Sequence, residues 1–151
     1  WESPAICERA NERDAGGTLW PQGPAARARA RSVSAEMHSG FAALRTHMPM
    51  DIRARLDDKG AVARQRADVA ADIARVQAIW TDCLERSGGP LLFGTFSIAD
   101  AYFAPVVTRF RTYGVTLVPP LATYAENMLA LPAMRRWIQA AQAEIEVIHY
   151  G

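Results

Sequence analysis

Histidine and cysteine are the residue types best suited to proton transfer and nucleophilic chemistry near neutral pH, and this chain has few of either. The histidines are His38, His47 and His149, and the cysteines are Cys7 and Cys83. The histidines lack the spacing of metal ligands, so we predict no metal site. The cysteines are far apart and form no C-x-x-C motif, which favours a reducing, cytoplasmic location and buried, unreactive thiols.

A run of arginines is the other group of residues that could serve binding, because guanidinium groups bind phosphates. Arg27, Arg29 and Arg31 occupy alternate positions, and a helix spreads such positions around its surface. Lys and Arg together number 17 against 16 Asp and Glu, a net charge of +1, whereas polyanion binding needs clustered excess positive charge. We therefore predict a solvated face or a subunit contact and no nucleic-acid partner; a helical DNA-binding regulator is the weakest alternative.

The elements that must position these residues are helices. The chain has 151 residues, of which 50% are hydrophobic and 22% charged, so it is predicted to be one folded domain without a membrane span. Apolar periodicity and Gly or Pro breaks predict helices at 4–14, 24–47, 61–87, 97–111, 121–130 and 133–145. A linker with the apolar pair Leu19-Trp20 covers 15–23, and residues 91–96 form a buried loop rather than a strand. The predicted fold class is all-α, a helical bundle.

Three of these helices carry apolar stripes that should face the core. The stripe of the 24–47 helix is Val33, Met37, Phe41 and Leu44, with His38 and Arg45 on the neighbouring stripe. That of the 61–87 helix is Val62, Val69, Ile73, Val76, Trp80 and Leu84, and that of the last helix is Met134, Trp137, Ile138, Ala141 and Ile145.

The helix at 97–111 opens with a capping-box spacing. Ser97 precedes Asp100 by three residues, so each can hydrogen-bond the backbone N–H of the other, a structural role. Phe96 and Ala101 hold the hydrophobic-staple positions beside it. Pro105 lies inside the helix and predicts a kink.

Four short motifs, taken in their order along the chain, resemble the cytosolic glutathione transferase family, and a fifth resembles one class of it. Residues 2–7 (ESPAIC) are similar to the segment that closes its thioredoxin-like half, and 19–21 (LWP) to the end of the linker that follows. Residues 92–101 (LFGTFSIADA) and 131–137 (LPAMRRW) are similar to hallmarks of its all-helical C-terminal domain. Residues 36–41 (EMHSGF) resemble the bacterial, beta-like class, which often has a lysine where this chain has Ser39.

The resemblance implies how the chain is divided into domains and which residues bind each substrate. Residues 1–14 would be the last helix of the thioredoxin-like domain, 15–23 the linker and 24–151 the helical domain. Glutathione would be the co-substrate, with Glu2 pairing with the γ-glutamyl amine, Ser3 holding the γ-glutamyl carboxylate and His38 stabilising the thiolate. The residues implied for a small hydrophobic electrophile are Phe41, Arg45, Phe110 and Tyr113.

Each assignment has a structural alternative that the sequence leaves open. Ser3 can be only an N-cap, Glu2 a first-turn charge and His38 a residue on a helix flank; the phenylalanines can be core residues, and Tyr113 can cap a helix end. In this family the thioredoxin-like half supplies the residue nearest the thiol. The chain starts at Trp1, so we expect either that more sequence precedes it or that its numbering starts internally.

Two functions of different kinds follow. The first is a glutathione transferase that forms a homodimer through its first two long helices. In this case the 151 residues alone are expected to have little or no activity. The second is a non-catalytic, transferase-like helical domain for dimerisation or partner docking. Binding of glutathione discriminates between them.

Overall fold

The computed structural model of the chain describes residues 1–13 and 17–146. Within these ranges there are eight α-helices and no β-strand: α1 (Ser3–Arg13), α2 (Pro24–Ser39), α3 (Ala42–His47), α4 (Asp57–Ala63), α5 (Ala67–Ser87), α6 (Ile98–Thr112), α7 (Pro119–Ala130) and α8 (Pro132–Ala143). The all-α prediction is confirmed. Predictions for Asp14, Gly16 and His149 fall outside the described residues.

The first long helix is interrupted, so the prediction of one helix over 24–47 is wrong. Gly40 is extended and Phe41 is left-handed, with a φ of 60°. A side chain at position 40 would come 2.7 Å from the Glu36 carbonyl oxygen, which explains the glycine there. Phe41 is buried, and the burial of its ring offsets the cost of its strained backbone, about 1–2 kcal/mol. The predicted apolar stripe is nevertheless fully buried, because the turn at 40–41 redirects α3 along the same core.

The core forms where α5, α6 and α7 meet around Trp80. The Trp80 ring packs against three other aromatic rings, at centroid distances of 6.0 Å to Phe103, 5.4 Å to Phe110 and 4.9 Å to Tyr124. Helix α6 is the most buried element; it contacts α2 and α7 and continues through Pro105. Because α6 lies in the centre, a site beside it can form only where its surface is left partly open, as it is at Ala101, Tyr102 and Pro105.

The capping box at the start of α6 forms as predicted. Asp100 is fully buried, and its carboxylate accepts hydrogen bonds from the backbone N–H of Ser97 (2.9 Å), the Ser97 hydroxyl (3.0 Å) and the backbone N–H of Leu92 (3.1 Å). The third bond ties the 91–96 loop to the helix. Leu91 and Leu92 are buried, so the prediction of a buried loop is confirmed for these two residues. Phe96 is exposed, as is Ala101, so the staple does not form a buried contact.

Helix α1 is held to the bundle by side chains rather than by a buried face. None of its residues is buried. The Arg31 guanidinium makes two hydrogen bonds to the Glu8 carboxylate, at 2.9 and 3.1 Å, and lies 5.7 Å above the Trp20 ring. Trp20 itself is buried, and the Leu19 carbonyl accepts the Ile98 N–H. The predicted apolar plug thus docks the linker onto the start of α6.

Three residues predicted to face the core are on the surface. Val62 is 65% exposed, Trp137 38% and Ile145 92%. Val62 lies in α4, which ends at Ala63, whereas α5 begins at Ala67. The helix predicted over 61–87 is therefore divided in two, and Val62 does not continue the apolar stripe of α5. Ile145 lies beyond the end of α8. No helix in the described parts of the chain combines the length and apolar character needed to cross a bilayer.

Candidate functional site

A cavity of about 430 Å³ opens between α1, the end of α2 and the middle of α6. We call it the His38 cavity. Its lining residues are Ser3, Cys7, Met37, His38, Arg45, Ala101, Tyr102 and Pro105. The volume lies within the range of small-molecule sites, and the lining combines apolar side chains with a hydroxyl, a thiol, an imidazole and a guanidinium.

The structure brings together the three residues that the resemblance assigned to glutathione. Ser3 and His38 line the same cavity, and the His38 Nε2 lies 3.4 Å from the Glu2 Oε2. The contact becomes an ion pair when the imidazole is protonated. Glu2 stands at the start of α1 and His38 in the last turn of α2, so the site depends on α1 lying against the bundle. The side chains are 65% and 38% exposed, which leaves both within reach of a ligand.

Arg45 lines the His38 cavity while its guanidinium holds the end of α2. It donates hydrogen bonds to the carbonyl oxygens of Gly40 (3.1 Å), Met37 and His38 (3.4 Å). A cation at a helix C-terminus satisfies carbonyls that have no intrahelical partner and complements the helix dipole. Arg45 therefore fixes the turn at 40–41 and, with it, the orientation of His38.

Tyr102 is a site residue that the sequence reasoning missed. Its ring stands edge-on to His38, with centroids 6.4 Å apart and an interplanar angle of 88°. Its hydroxyl oxygen is buried and makes no hydrogen bond of normal geometry to any residue that the structure describes. Burial raises the pKa of Tyr102 to about 12, and interactions with the Cys7 side chain and the Glu2 carboxylate add to the rise. The hydroxyl therefore remains protonated at neutral pH and can act only as a donor or neutral acceptor.

The spacing of residues along α6 gives a weak indication of the role of Tyr102. Ala101, Tyr102 and Pro105 are spaced as neighbours on one face of α6, the face left open when the others are buried. The sequence alone did not show which face of this largely apolar helix would be the open one.

Three residues predicted for the electrophile pocket lie elsewhere. Phe41 is buried at the turn between α2 and α3, and Phe110 packs against Trp80 in the core. Tyr113 is buried, and its hydroxyl donates a hydrogen bond to the Pro49 carbonyl at 3.0 Å. The structural alternative therefore describes both phenylalanines, and Tyr113 anchors the loop between α3 and α4. Of the four residues implied for the electrophile, only Arg45 lines the His38 cavity.

The arginine run does not form a common surface, because each guanidinium has its own partner. Arg27 donates to the Gln22 carbonyl at 2.7 Å, Arg29 to Asp82 at 2.6 Å and Arg31 to Glu8. Two of these contacts join α2 to neighbouring helices α5 and α1. The run thus serves the internal assembly of this chain.

A larger cavity, of about 660 Å³, lies between α2 and α5. Cys83 lines it but is only 1% exposed, and burial raises the pKa of its thiol. The prediction of a buried thiol is thus confirmed for Cys83. It is wrong for Cys7, which is partly exposed and lines the His38 cavity, because no residue of α1 is buried. Among the described residues, no three His, Cys, Asp or Glu side chains group together as metal ligands would.

The comparison with known proteins identifies the family. No curated protein matches the chain significantly. Residues 59–140 match the family model for the glutathione S-transferase C-terminal domain. The matched segment runs from α4 into α8 and covers more than half of the chain, whereas Ser3, Cys7, His38 and Arg45 lie before it. The fold and this match agree with the resemblance of the sequence motifs: the chain belongs to the glutathione S-transferase C-terminal domain family.

Proposed function

We propose that this chain is the helical part of a cytoplasmic glutathione transferase of a bacterial, beta-like class, and that the His38 cavity is its edge of the glutathione site. The reaction would conjugate the glutathione thiolate to a small hydrophobic electrophile or carry out glutathione-dependent thiol–disulfide chemistry. The protein would act as a homodimer, paired through the first two long helical stretches, as the resemblance implies.

One observation carries this proposal. Ser3 and His38, assigned to glutathione on separate motifs 35 positions apart, line one cavity, and Glu2 contacts His38. An unrelated arrangement of the helices need not have placed α1 beside the end of α2. The convergence of these side chains is therefore support that the motifs alone did not provide.

The groups in the cavity suit different parts of the tripeptide. The Ser3 hydroxyl and the first N–H groups of α1 can hold a carboxylate, aided by the positive end of the helix dipole. The His38 imidazole can donate a hydrogen bond to a thiolate or accept the thiol proton. Hydrogen bonding to the thiolate lowers the pKa of a thiol, which is the requirement for transfer near pH 7.

The contact between Glu2 and His38 adds a condition to this scheme. The resemblance assigns Glu2 to the amine and His38 to the sulfur, which are at different places in the ligand. Glutathione binding would then separate the two side chains, with the ligand amine replacing the imidazole as the partner of the carboxylate. Both side chains are partly solvated, so the separation is inexpensive.

Binding of S-methylglutathione to the 151-residue chain, followed by calorimetry, tests the site. Replacing His38 with alanine should weaken binding only modestly, because the methylated sulfur cannot accept a charge-assisted hydrogen bond. Ser3→Ala should weaken it by about 10-fold or more, the effect of losing a hydrogen bond to a charged group. Ser39→Ala is the matched control, since Ser39 is exposed and its hydroxyl bonds the Ala35 carbonyl.

A conjugation assay with an aryl halide tests the reaction. We expect little or no turnover by the 151 residues alone and measurable turnover by a form with a thioredoxin-like half ahead of Trp1. In that longer form, His38→Ala should lower turnover by about 10-fold or more. Appreciable turnover by the short chain would contradict the proposed division of labour. If the longer form binds no glutathione, the alternative of a non-catalytic interaction domain is favoured.

A further inference from the structure

Arg45 carries a positive charge that is not paired with any acidic side chain that the structure describes. Its guanidinium donates to three backbone carbonyl oxygens. By contrast, the guanidinium groups of Arg29, Arg31 and Arg75 each pair with a carboxylate of a neighbouring helix. The carbonyls at the end of a helix together carry only about half a unit of negative charge. Part of the Arg45 charge therefore remains available to a ligand.

The hydrogen bonds of Arg45 also leave one end of its guanidinium unused. The group has five N–H donors. The Nε donates to the Gly40 carbonyl at 3.1 Å, and the Nη2 donates to the carbonyls of Met37 and His38. The two hydrogens of Nη1 make no hydrogen bond to any residue that the structure describes. Because the other bonds already hold the side chain in place, binding a ligand would cost it little conformational entropy.

The cavity wall around Arg45 is largely apolar. Met37, Ala101 and Pro105 contribute to it, and among the described residues that line this cavity Arg45 is the one with a permanent charge. The Nη2 of Arg45 lies 3.4 Å from the carbonyl oxygen of His38, the residue proposed to face the glutathione sulfur. A group attached to that sulfur would meet apolar contacts and one positive charge. An apolar body with an acidic end matches this combination.

We infer that the electrophile of this site carries a carboxylate, and that Arg45 is the specificity-determining residue that binds it. This inference rests on the proposed function, because it concerns the second substrate of the same cavity. The Nη1 hydrogens would donate charge-assisted hydrogen bonds to the carboxylate, while Met37 and Pro105 would contact the apolar body. Arg45 would then have two roles, since it also fixes the end of α2.

Calorimetry of the 151-residue chain with a matched pair of glutathione conjugates tests the inference. S-(4-carboxybenzyl)glutathione and S-(4-carbamoylbenzyl)glutathione have nearly the same shape and differ by one charge. We expect the carboxylate conjugate to bind about fivefold more tightly, and we expect the preference to shrink as salt is added.

The reference ligand S-methylglutathione separates the two proposals. Equal affinities for the two conjugates, in a chain that binds S-methylglutathione, would overturn the inference and leave the proposed function standing. If neither S-methylglutathione nor the conjugates bind, the proposed function fails and this inference fails with it.

Variants show whether Arg45 causes the preference. Arg45→Gln should bring the two affinities within about twofold of each other, whereas Arg45→Lys, which keeps the charge, should retain part of the preference. Arg136→Gln is the matched control, because Arg136 is exposed on α8 and does not line the His38 cavity. It removes the same charge and should leave the preference unchanged. Circular dichroism checks that each variant is folded.

The ratio of the two affinities distinguishes specificity from a merely structural role of Arg45. A disturbed turn at 40–41 would weaken both conjugates together, and so would the loss of a bond from Arg45 to a carboxylate of glutathione itself. An Arg45→Gln variant that binds both conjugates more weakly at an unchanged ratio would therefore overturn the inference. His38→Ala retains Arg45 and should keep the preference; its loss in that variant would assign the preference to the imidazole and overturn the inference too.

Discussion

Replacement of Asp100 by alanine should unfold this protein at a clearly lower temperature without altering the His38 cavity. The Asp100 carboxylate is fully buried and accepts three hydrogen bonds, two from Ser97 and one from the Leu92 N–H. Alanine leaves two backbone N–H groups without an acceptor, and each buried orphan costs about 1–3 kcal/mol. The Ser97 hydroxyl can rotate to another partner and adds little.

The free-energy cost of burying the Asp100 charge, which alanine removes, partly offsets this loss. Burial raises the pKa of Asp100 above its ordinary value of 3.8, although its hydrogen bonds act against the rise. Keeping the carboxylate ionised in the fold therefore costs free energy, which alanine does not. The net loss should be about 2–4 kcal/mol. For a chain of this size each kcal/mol corresponds to about 2–4 °C, so the melting temperature should fall by about 5–15 °C.

The raised pKa also predicts how the effect varies with pH. The folded protein holds the Asp100 proton more tightly than the unfolded chain, so the contribution of this group to stability falls as the pH rises from 3.8 through the folded-state pKa. Alanine does not titrate. The difference in unfolding free energy between the two proteins should therefore be largest in acid and narrow towards neutrality.

Thermal melts by circular dichroism and urea titrations between pH 3 and 7 measure these quantities. Asp58→Ala is the matched control, because Asp58 is an exposed carboxylate in the first turn of α4, and its loss should cost under about 1 kcal/mol. Affinity for S-methylglutathione at low temperature should be unchanged in Asp100→Ala. Equal melting temperatures for the two variants would refute the reasoning.

Two further predictions concern other contacts. Glu36→Gln should cost under about 1 kcal/mol at pH 7, since the pair with Arg75 is partly solvated. The hydrogen bond from Arg75 lowers the pKa of Glu36 below 4.5, so this stabilisation is present above that pH and disappears in acid; a urea-titration difference that persists at pH 2 would contradict it. Gly60→Ala should destabilise by about 2 kcal/mol or more in the same assay, although alanine is the better helix former, because its methyl group would overlap the Tyr113 carbonyl. Gly23→Ala, whose added carbon meets only a side chain at 4.0 Å, is the control. Because Gly23 is the N-cap of α2, where alanine is less favourable, the control should lose up to about 1 kcal/mol.

The features predicted well were those that depend on residues close together in the chain. The capping box of Ser97 and Asp100 is set by a three-residue spacing, and the stripe through Val69, Ile73, Val76 and Trp80 by helical periodicity; both appear in the structure. The break at Gly40 was missed because the periodicity of the apolar residues continues across it. Only the packing of Phe41 into the core and the bonds from Arg45 to the end of α2 make the break favourable.

The candidate site divides in the same way. The all-helical domain, its family resemblance and the interest of Glu2, Ser3 and His38 could all be predicted from the sequence, since spacing and residue type are local properties. Three further facts follow from packing alone. Ser3 and His38 line one cavity, with Glu2 in contact with His38; Phe110 and Tyr113 are used for packing and anchoring instead; and Tyr102 and Cys7 share the cavity wall. Which face of α6 remains open depends on how α2, α5 and α7 cover the others, and this packing is determined by the burial of side chains far apart in the chain.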